Sequence, residues 1–186
     1  EGLSGPAKLL NELMLKKQAE AKAKLAELRD NIAFMIGDVN IGANASTSAF
    51  KKYLYEDLKL PVFKTTAKYQ EAMDDEAMIL LSEWCCENRP ELAALFELVQ
   101  EYRRWGKIKS TYIDGYLEHI NGATGRIHPD LFPLGTETGR FAARNPNLQN
   151  CPRKDNDPVG VRNFFIAPKG KALLSLDFSQ IELRVG

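Results

Sequence analysis

A chain of 186 residues holds one domain of ordinary size, or one and a half. Hydrophobic residues make up 44%, near the globular average, which excludes wholesale disorder. Basic and acidic residues balance at 25 each, so overall charge names no partner, and no apolar run reaches the ~18 residues of a membrane-spanning helix.

Pro6 to Ile36 predicts one long helix. Pro6 suits the first helical position and Gly37 the stop. Ala21, Leu25, Leu28, Ile32 and Met35 recur at spacings of three and four and draw one apolar stripe. At 1.5 Å per residue the rod measures roughly 45 Å, so it projects beyond a small core or forms half of an antiparallel hairpin. The stripe lasts about two heptads, which favours packing within the chain over a coiled-coil partner. Residues 38–45 read as a loop. Ser46, Thr47 and Ser48 offer N-caps to a short helix that ends before Pro61, with Phe50, Tyr53, Leu54 and Leu58 on its buried face. Lys64 to Lys68 reads as polar and exposed. Asp74 and Asp75 can cap a helix through about Asn88, with Met78, Leu81, Trp84 and Cys85 inward, and Arg89-Pro90 breaks it. A further long helix runs from Pro90 towards Leu117 on an apolar face of Leu92, Leu95, Val99, Tyr102 and Ile108. Gly106 and Gly115 weaken it.

After Asn121-Gly122 the texture changes: glycine and proline become frequent and helical periodicity is lost. The apolar runs 161–167 and 172–178, around Pro168-Lys169-Gly170, signal a β-hairpin. The fold class expected is therefore α+β, a helical part over 1–120 followed by a mixed part with strands over 121–186. No internal repeat and no low-complexity segment is present. Cys85, Cys86 and Cys151 make neither a disulfide framework nor, with two histidines, a zinc pattern, which points to a reducing, cytoplasmic setting. The N-terminus lacks both an initiator Met and the basic and apolar regions of a signal peptide; it reads as a start set by processing or cloning.

Zero net charge hides a gradient. Residues 56–101 hold 11 acidic and 4 basic side chains, residues 103–126 hold 5 basic and 2 acidic, and residues 137–171 hold 7 basic and 3 acidic. Local clustering of this kind matters more than the sum for binding polyanions; solvated loop charge is the plain alternative. Near the C-terminus an apolar run delivers Asp177, five residues before Glu182. Carboxylates at a strand end can meet a hard cation such as Mg²⁺ through oxygen; by periodicity alone Asp177 is equally a helix N-cap.

These residues carry a resemblance. Asp177-Phe-Ser-Gln-Ile-Glu-Leu-Arg184 resembles motif A of the family A DNA polymerases, the bacterial DNA polymerase I type. Thr138-Gly139-Arg140 and Asn145-Pro-Asn-Leu-Gln-Asn-Cys-Pro152 resemble the segment that precedes motif A. Glu101-Tyr102-Arg103 and Lys107-Ile-Lys-Ser-Thr-Tyr-Ile-Asp114 resemble the end of that family's thumb. Four motifs in family order are more specific than any one of them. The likeness is strong over about 101–184 and weaker before it.

The resemblance implies that residues 1–120 form the helical thumb, which grips primer–template duplex. Residues 121–186 would then form the start of the palm, a short antiparallel β-hairpin included, ending at motif A. The implied chemistry is deoxynucleotidyl transfer from a deoxynucleoside triphosphate to a primer 3′-hydroxyl, with two Mg²⁺ ions ~4 Å apart. It implies that Asp177 is a catalytic metal ligand, that the Phe178 carbonyl is a backbone contact to the same metal, and that Glu182 is the steric gate against ribose. Ser179, Gln180, Ile181 and Glu182 would line the nucleotide. Arg140 would enter the minor groove, where acceptors occur in every base pair, and Gln149 and Asn150 would add groove or sugar contacts, with Asn147 supporting their turn. Lys107, Lys109, Ser110, Thr111 and Tyr112 would contact the duplex, with Arg103, Lys107 and Lys109 on one helical side to meet phosphates.

Each has a plainer reading: Arg140 as a surface arginine after a turn glycine, Lys107 and Lys109 as solvated charges, Gln149 and Asn150 as loop amides satisfying their own backbone, Tyr112 as packing. Departures from the family are Phe178 for a usual Tyr, Ala142 and Ala143 for small hydroxyl residues, and Arg144 and Cys151 at positions of other character. The fingers pattern Arg-x-x-x-Lys-x-x-x-Phe-x-x-x-Tyr-Gly and the His-Asp-Glu motif do not occur. The chain is therefore expected to be part of a polymerase, to need the rest of palm and fingers, and to be inactive alone. Two other classes remain open: a duplex-binding module without catalysis, indifferent to Asp177→Ala, and a metal-dependent nuclease using Asp177 and Glu182, disfavoured because no third carboxylate clusters nearby.

Overall fold

A computed structural model describes residues 5–133, 135–136, 139–167, 170–174, 176 and 179, with side chains from residue 11 onward, Asn156 excepted. Helix α1 runs Gly5–Ile36 as one rod. Gly37 ends it as expected: at φ +71 it takes the left-handed conformation that glycine adopts without penalty, and its N–H donates to the Ala33 carbonyl at 2.8 Å. Thr47 caps α2 (Ser48–Lys52), its hydroxyl accepting from the Phe50 N–H at 3.1 Å. A π-type turn, Tyr53–Asp57, extends α2. Phe50 and Leu54 are fully buried, and Tyr53 and Leu58 pack at the edge of the same core.

Asp74 caps α3 (Asp75–Asn88) by accepting from the Ala77 N–H at 3.0 Å. Pro90 opens α4 (Pro90–Lys107), where its missing N–H costs nothing. The helix does not continue to Leu117 in α form. Between the two glycines that weaken it, residues Ile108–Asp114 wind as a π segment, followed by α5 (Gly115–Glu118). The wider winding lets Ile108, Tyr112 and Ile113 all face inward. Lys64, expected to be exposed, is half-buried, because Asp74, at 2.7 Å, and Glu76 draw its ammonium back to α3.

α4 is the hub, packing on α1 along one side and on α3 along another. The first core gathers Leu28, Ile32 and Ile36 of α1, Phe50 and Leu54, Met78, Leu81 and Cys85 of α3, and Leu95, Phe96 and Val99 of α4. Each of these aliphatic, Phe and Met side chains stabilises the fold by ~1.5–3 kcal/mol through burial. The second core joins Met14 and Ala21 of α1 to Ile108, Tyr112, Ile113 and Tyr116, and then to Val159, Val161 and Phe164 from far along the chain. It therefore spans the division expected at residue 120. Trp105 touches both cores.

The class is α+β, but the hairpin lies elsewhere than expected. The antiparallel pair is β1 (Asp130–Phe132) and β2 (Ala142–Arg144), in register Asp130–Arg144, Leu131–Ala143 and Phe132–Ala142. Val161–Phe164, expected as a strand, is a 3₁₀ turn. Gly160 at φ +74 breaks the extended backbone, and the Asp157 carboxylate accepts the Gly160 N–H at 2.8 Å and the Arg162 N–H at 3.4 Å. Val161 and Phe164 then fall three apart on one buried side. In the second expected strand, residues 172–174 and 176 are not extended partners of anything described, and 175, 177 and 178 lie outside the described residues.

Candidate nucleic-acid interface

The π segment fixes the geometry here. Its inward residues anchor it, and its outward Ser110 and Thr111 are exposed, as is Lys107, the last residue of α4 just before it. Tyr112 is buried, and its hydroxyl donates to the Asn150 carbonyl at 2.6 Å. Burial pushes its phenol above the ordinary range, with Cys151 and Asp157 adding to the effect. That bond ties the π segment to the 3₁₀ turn Leu148–Asn150, which Asn147 caps by accepting from the Gln149 N–H at 3.0 Å. Gln149 and Asn150 are exposed beside it. Tyr116 adds a second tie, its hydroxyl 3.8 Å from Cys151 Sγ; burial first, then Cys151, pushes its pKa up. The structure thus brings together two motifs 38 residues apart.

Two basic residues sit otherwise than the sequence implied. Arg103 does not share an outward side with Lys107 and Lys109. Its guanidinium turns inward to the carbonyls of Asn44, Ala45 and Met73 and to the Asp75 carboxylate. Lys109 is half-buried and pairs with Asp114 Oδ2 at 2.5 Å, while Gln18 of α1 donates to Asp114 Oδ1 at 2.6 Å. Burial raises the Asp114 carboxyl, but the Lys109 and Gln18 hydrogen bonds outweigh it and hold the group below the usual carboxylate range. No local signal marks these partners, nor Asn145 Nδ2 donating to Asp130 Oδ2 at 2.9 Å across the hairpin.

Arg140 closes a turn in which its N–H donates to Thr136 Oγ1 at 2.9 Å, Thr136 Oγ1 donates to its carbonyl at 3.0 Å, and Gly139 takes φ +72. Its side chain is exposed; Thr138 lies outside the described residues. Ala143 is buried in β2, where a hydroxyl would lack water. The Arg144 guanidinium stands over the Phe132 ring, 5.1 Å from its centroid, a cation–π contact rather than a bare charge. Of the motif A residues, Ser179 is an exposed turn residue, and Asp177, Phe178, Gln180, Ile181 and Glu182 lie outside the described residues. Among the described residues no three His, Cys, Asp or Glu side chains converge to hold a metal ion. No described helix is long and apolar enough to cross a membrane.

Long helices packed on one another, followed by a small mixed part with a two-stranded antiparallel sheet, give the fold its class. The profile described as DNA polymerase family A matches residues 11–186, and the chain belongs to that family. It is similar to DNA polymerase I of Caldicellulosiruptor bescii, at 34% identity over 179 residues, covering 96% of this chain and 20% of that protein. DNA polymerase I of Pseudomonas aeruginosa is 37% identical over 148 residues, 80% of this chain and 15% of that protein. The chain thus spans a fifth or less of these relatives' length. In fold it resembles the POL domain of Pol1 from M. smegmatis, solved in complex with DNA primer-template and dNTP, with a TM-score of 0.73 and 23% identity over 92% of this chain and 28% of that one. Polymerases of this family generally use divalent metal ions.

Proposed function

We propose that the chain is the thumb and the start of the palm of a DNA-directed DNA polymerase, and that its own share of the work is to hold primer–template duplex. The observation that carries this is the Tyr112–Asn150 bond, which joins the segment carrying exposed Ser110 and Thr111, directly after exposed Lys107, to the turn carrying exposed Gln149 and Asn150. A lysine and hydroxyls suit phosphate oxygens, which position a duplex without reading it. Amides suit the minor-groove acceptors common to all base pairs. Arg140 belongs to the same reading as a groove contact.

Asp177 is assigned to Mg²⁺ together with the Phe178 carbonyl, and Glu182 to exclusion of a ribose 2′-hydroxyl, with Ser179, Gln180 and Ile181 along the nucleotide. These roles rest on the motif and on carboxylate oxygen being a suitable donor for a hard cation. Bound Mg²⁺ would supply charge neutralisation for phosphoryl transfer. Incorporation belongs to a complete polymerase with fingers and the rest of the palm, in the cytoplasm where its DNA lies.

The test is fluorescence anisotropy of a labelled primer–template duplex with the 186-residue chain. Binding is expected to weaken linearly in log Kd against log salt, by about 0.9 per phosphate contact. Lys107→Ala should weaken it ~3–10-fold and lower that slope by about one contact. No binding at low salt, or a Kd indifferent to salt and to Lys107, overturns the reading.

A further inference from the structure

Arg103 makes four hydrogen bonds, all to partners within the chain. Nε donates to the Asn44 carbonyl at 3.0 Å, Nη2 to the carbonyls of Ala45 and Met73 at 2.8 and 2.7 Å, and Nη1 to Asp75 Oδ1 at 3.2 Å. A guanidinium has five N–H groups, so a single one is left. The paired donors that grip a phosphate side by side are taken up. The side chain is 11% exposed, whereas that of Asp75 is 83% exposed.

The neighbours of Arg103 on α4 act on the same loop. The Tyr102 hydroxyl donates to the Gly42 carbonyl at 3.1 Å. A Cβ at Gly106 would stand 3.4 Å from the Ala43 carbonyl, within ordinary contact, so the loop lies close against the helix there. Ala45 is held at φ +44, a left-handed conformation that costs an L-residue ~1–2 kcal/mol. Its carbonyl and that of Asn44 are the ones Arg103 takes. Loop 42–45 is thus clamped to the turn of α4 that ends in Lys107, and the exposed side chains of Asn44, Ser46 and Ser48 are carried with it.

We propose that Arg103 is a positioning residue for duplex binding: it locks loop 42–45 and the Met73 carbonyl onto α4, so that the loop's polar side chains and Lys107 make one rigid surface for the DNA backbone. This rests on the duplex-binding reading above. A direct phosphate contact and a clamp differ in what a conservative change does. Lysine keeps the charge but lacks the fork.

The experiment measures Arg103→Lys, Arg103→Ala and Gly42→Ala by duplex anisotropy across salt, with amide hydrogen exchange of residues 42–47 in the absence of DNA. Gly42 has φ +64, and a Cβ there would meet Thr47 Cγ2 at 2.7 Å, so Gly42→Ala disturbs the loop with Arg103 intact. The clamp predicts faster exchange at 42–47 in all three variants. It predicts a ~5–10-fold weaker Kd in each, as loss of net hydrogen bonds implies, and a salt slope like that of the original chain. Arg103→Lys binding normally, with Arg103→Ala lowering the slope by about 0.9 as a lost phosphate contact does, overturns it; so does unchanged exchange, or normal affinity in Gly42→Ala. If the original chain does not bind duplex, the duplex-binding reading fails and the positioning role falls with it, whatever the exchange shows.

Discussion

Tyr112 does two jobs with one side chain. Its ring fills the second core, edge-on to Tyr116 at 6.0 Å between centroids, and its hydroxyl holds the Asn150 carbonyl. Tyr112→Phe keeps the ring and removes the hydroxyl. The fold should lose ~1 kcal/mol, the net worth of such a bond, and amides 148–150 should exchange faster. A thermal melt together with hydrogen exchange checks both; unchanged exchange would mean the bond does not set that turn. Asp114 gives a pH test. Its folded pKa lies below the unfolded value, so its contribution is present above the unfolded pKa, about 4, and is lost as pH falls through the lower folded value. Asp114→Asn should cost ~1 kcal/mol at pH 7, and the stabilities of the two proteins should converge as pH falls below the folded value. Local signals made the caps at Thr47 and Asp74 readable, because a cap and the N–H it accepts from lie three residues apart. Nothing local announced Arg103, whose partners lie 30 and 58 residues away. A basic residue's spacing tells which face it could share; only the fold tells whether its donors are already engaged.

Periodicity made the helices legible and composition misplaced the strands. The stripe of α1 and the inward set Met78, Leu81 and Cys85 of α3 are repeated contacts with one neighbour, and repetition shows in a sequence. The hairpin does not repeat: three residues pair with three, Leu131 and Phe132 stay exposed, and Ala-Ala-Arg has little strand character. The run at 161–167 has that character, yet a left-handed Gly160 and the Asp157 carboxylate override it. The π segment was hinted at by its flanking glycines, but its extra winding answers to the second core, whose other half comes from residues 148–165. Asp74 supports α3 in two separable ways, as N-cap to Ala77 and as partner of Lys64 at 2.7 Å. Asp74→Ala should lower the urea midpoint by an amount worth ~1 kcal/mol, as lost caps do. Asp74→Asn keeps the cap and loses only a surface ion pair with the half-buried Lys64, so it should fall closer to the original. Equal losses in the two variants would assign the stability to the ion pair instead.

Over the whole molecule, charge balance conceals an uneven distribution, which the proposed function divides between holding DNA and acting on it. The basic excess of the second half was legible, but its members are not equivalent: Arg103 and Lys109 are engaged inside the helical part and Arg144 lies on an aromatic ring, while Lys107 stands exposed on the edge that Tyr112 organises. The duplex surface proposed here depends on the two cores and does not include Asp177. Asp177→Ala in the 186-residue chain should therefore leave duplex Kd within ~2-fold of the original, the scatter expected of independent sites. In a full-length polymerase carrying this segment the same change should lower the primer-extension rate on the order of 10²–10³-fold, as removal of one group stabilising developing charge does. The 186-residue chain, with or without Asp177, should incorporate no nucleotide. Binding that collapses in Asp177→Ala would place the carboxylate in the fold or in the DNA contact rather than in catalysis. Extension that survives in the full-length variant would leave the chain a duplex-binding module whose motif A carboxylate is dispensable.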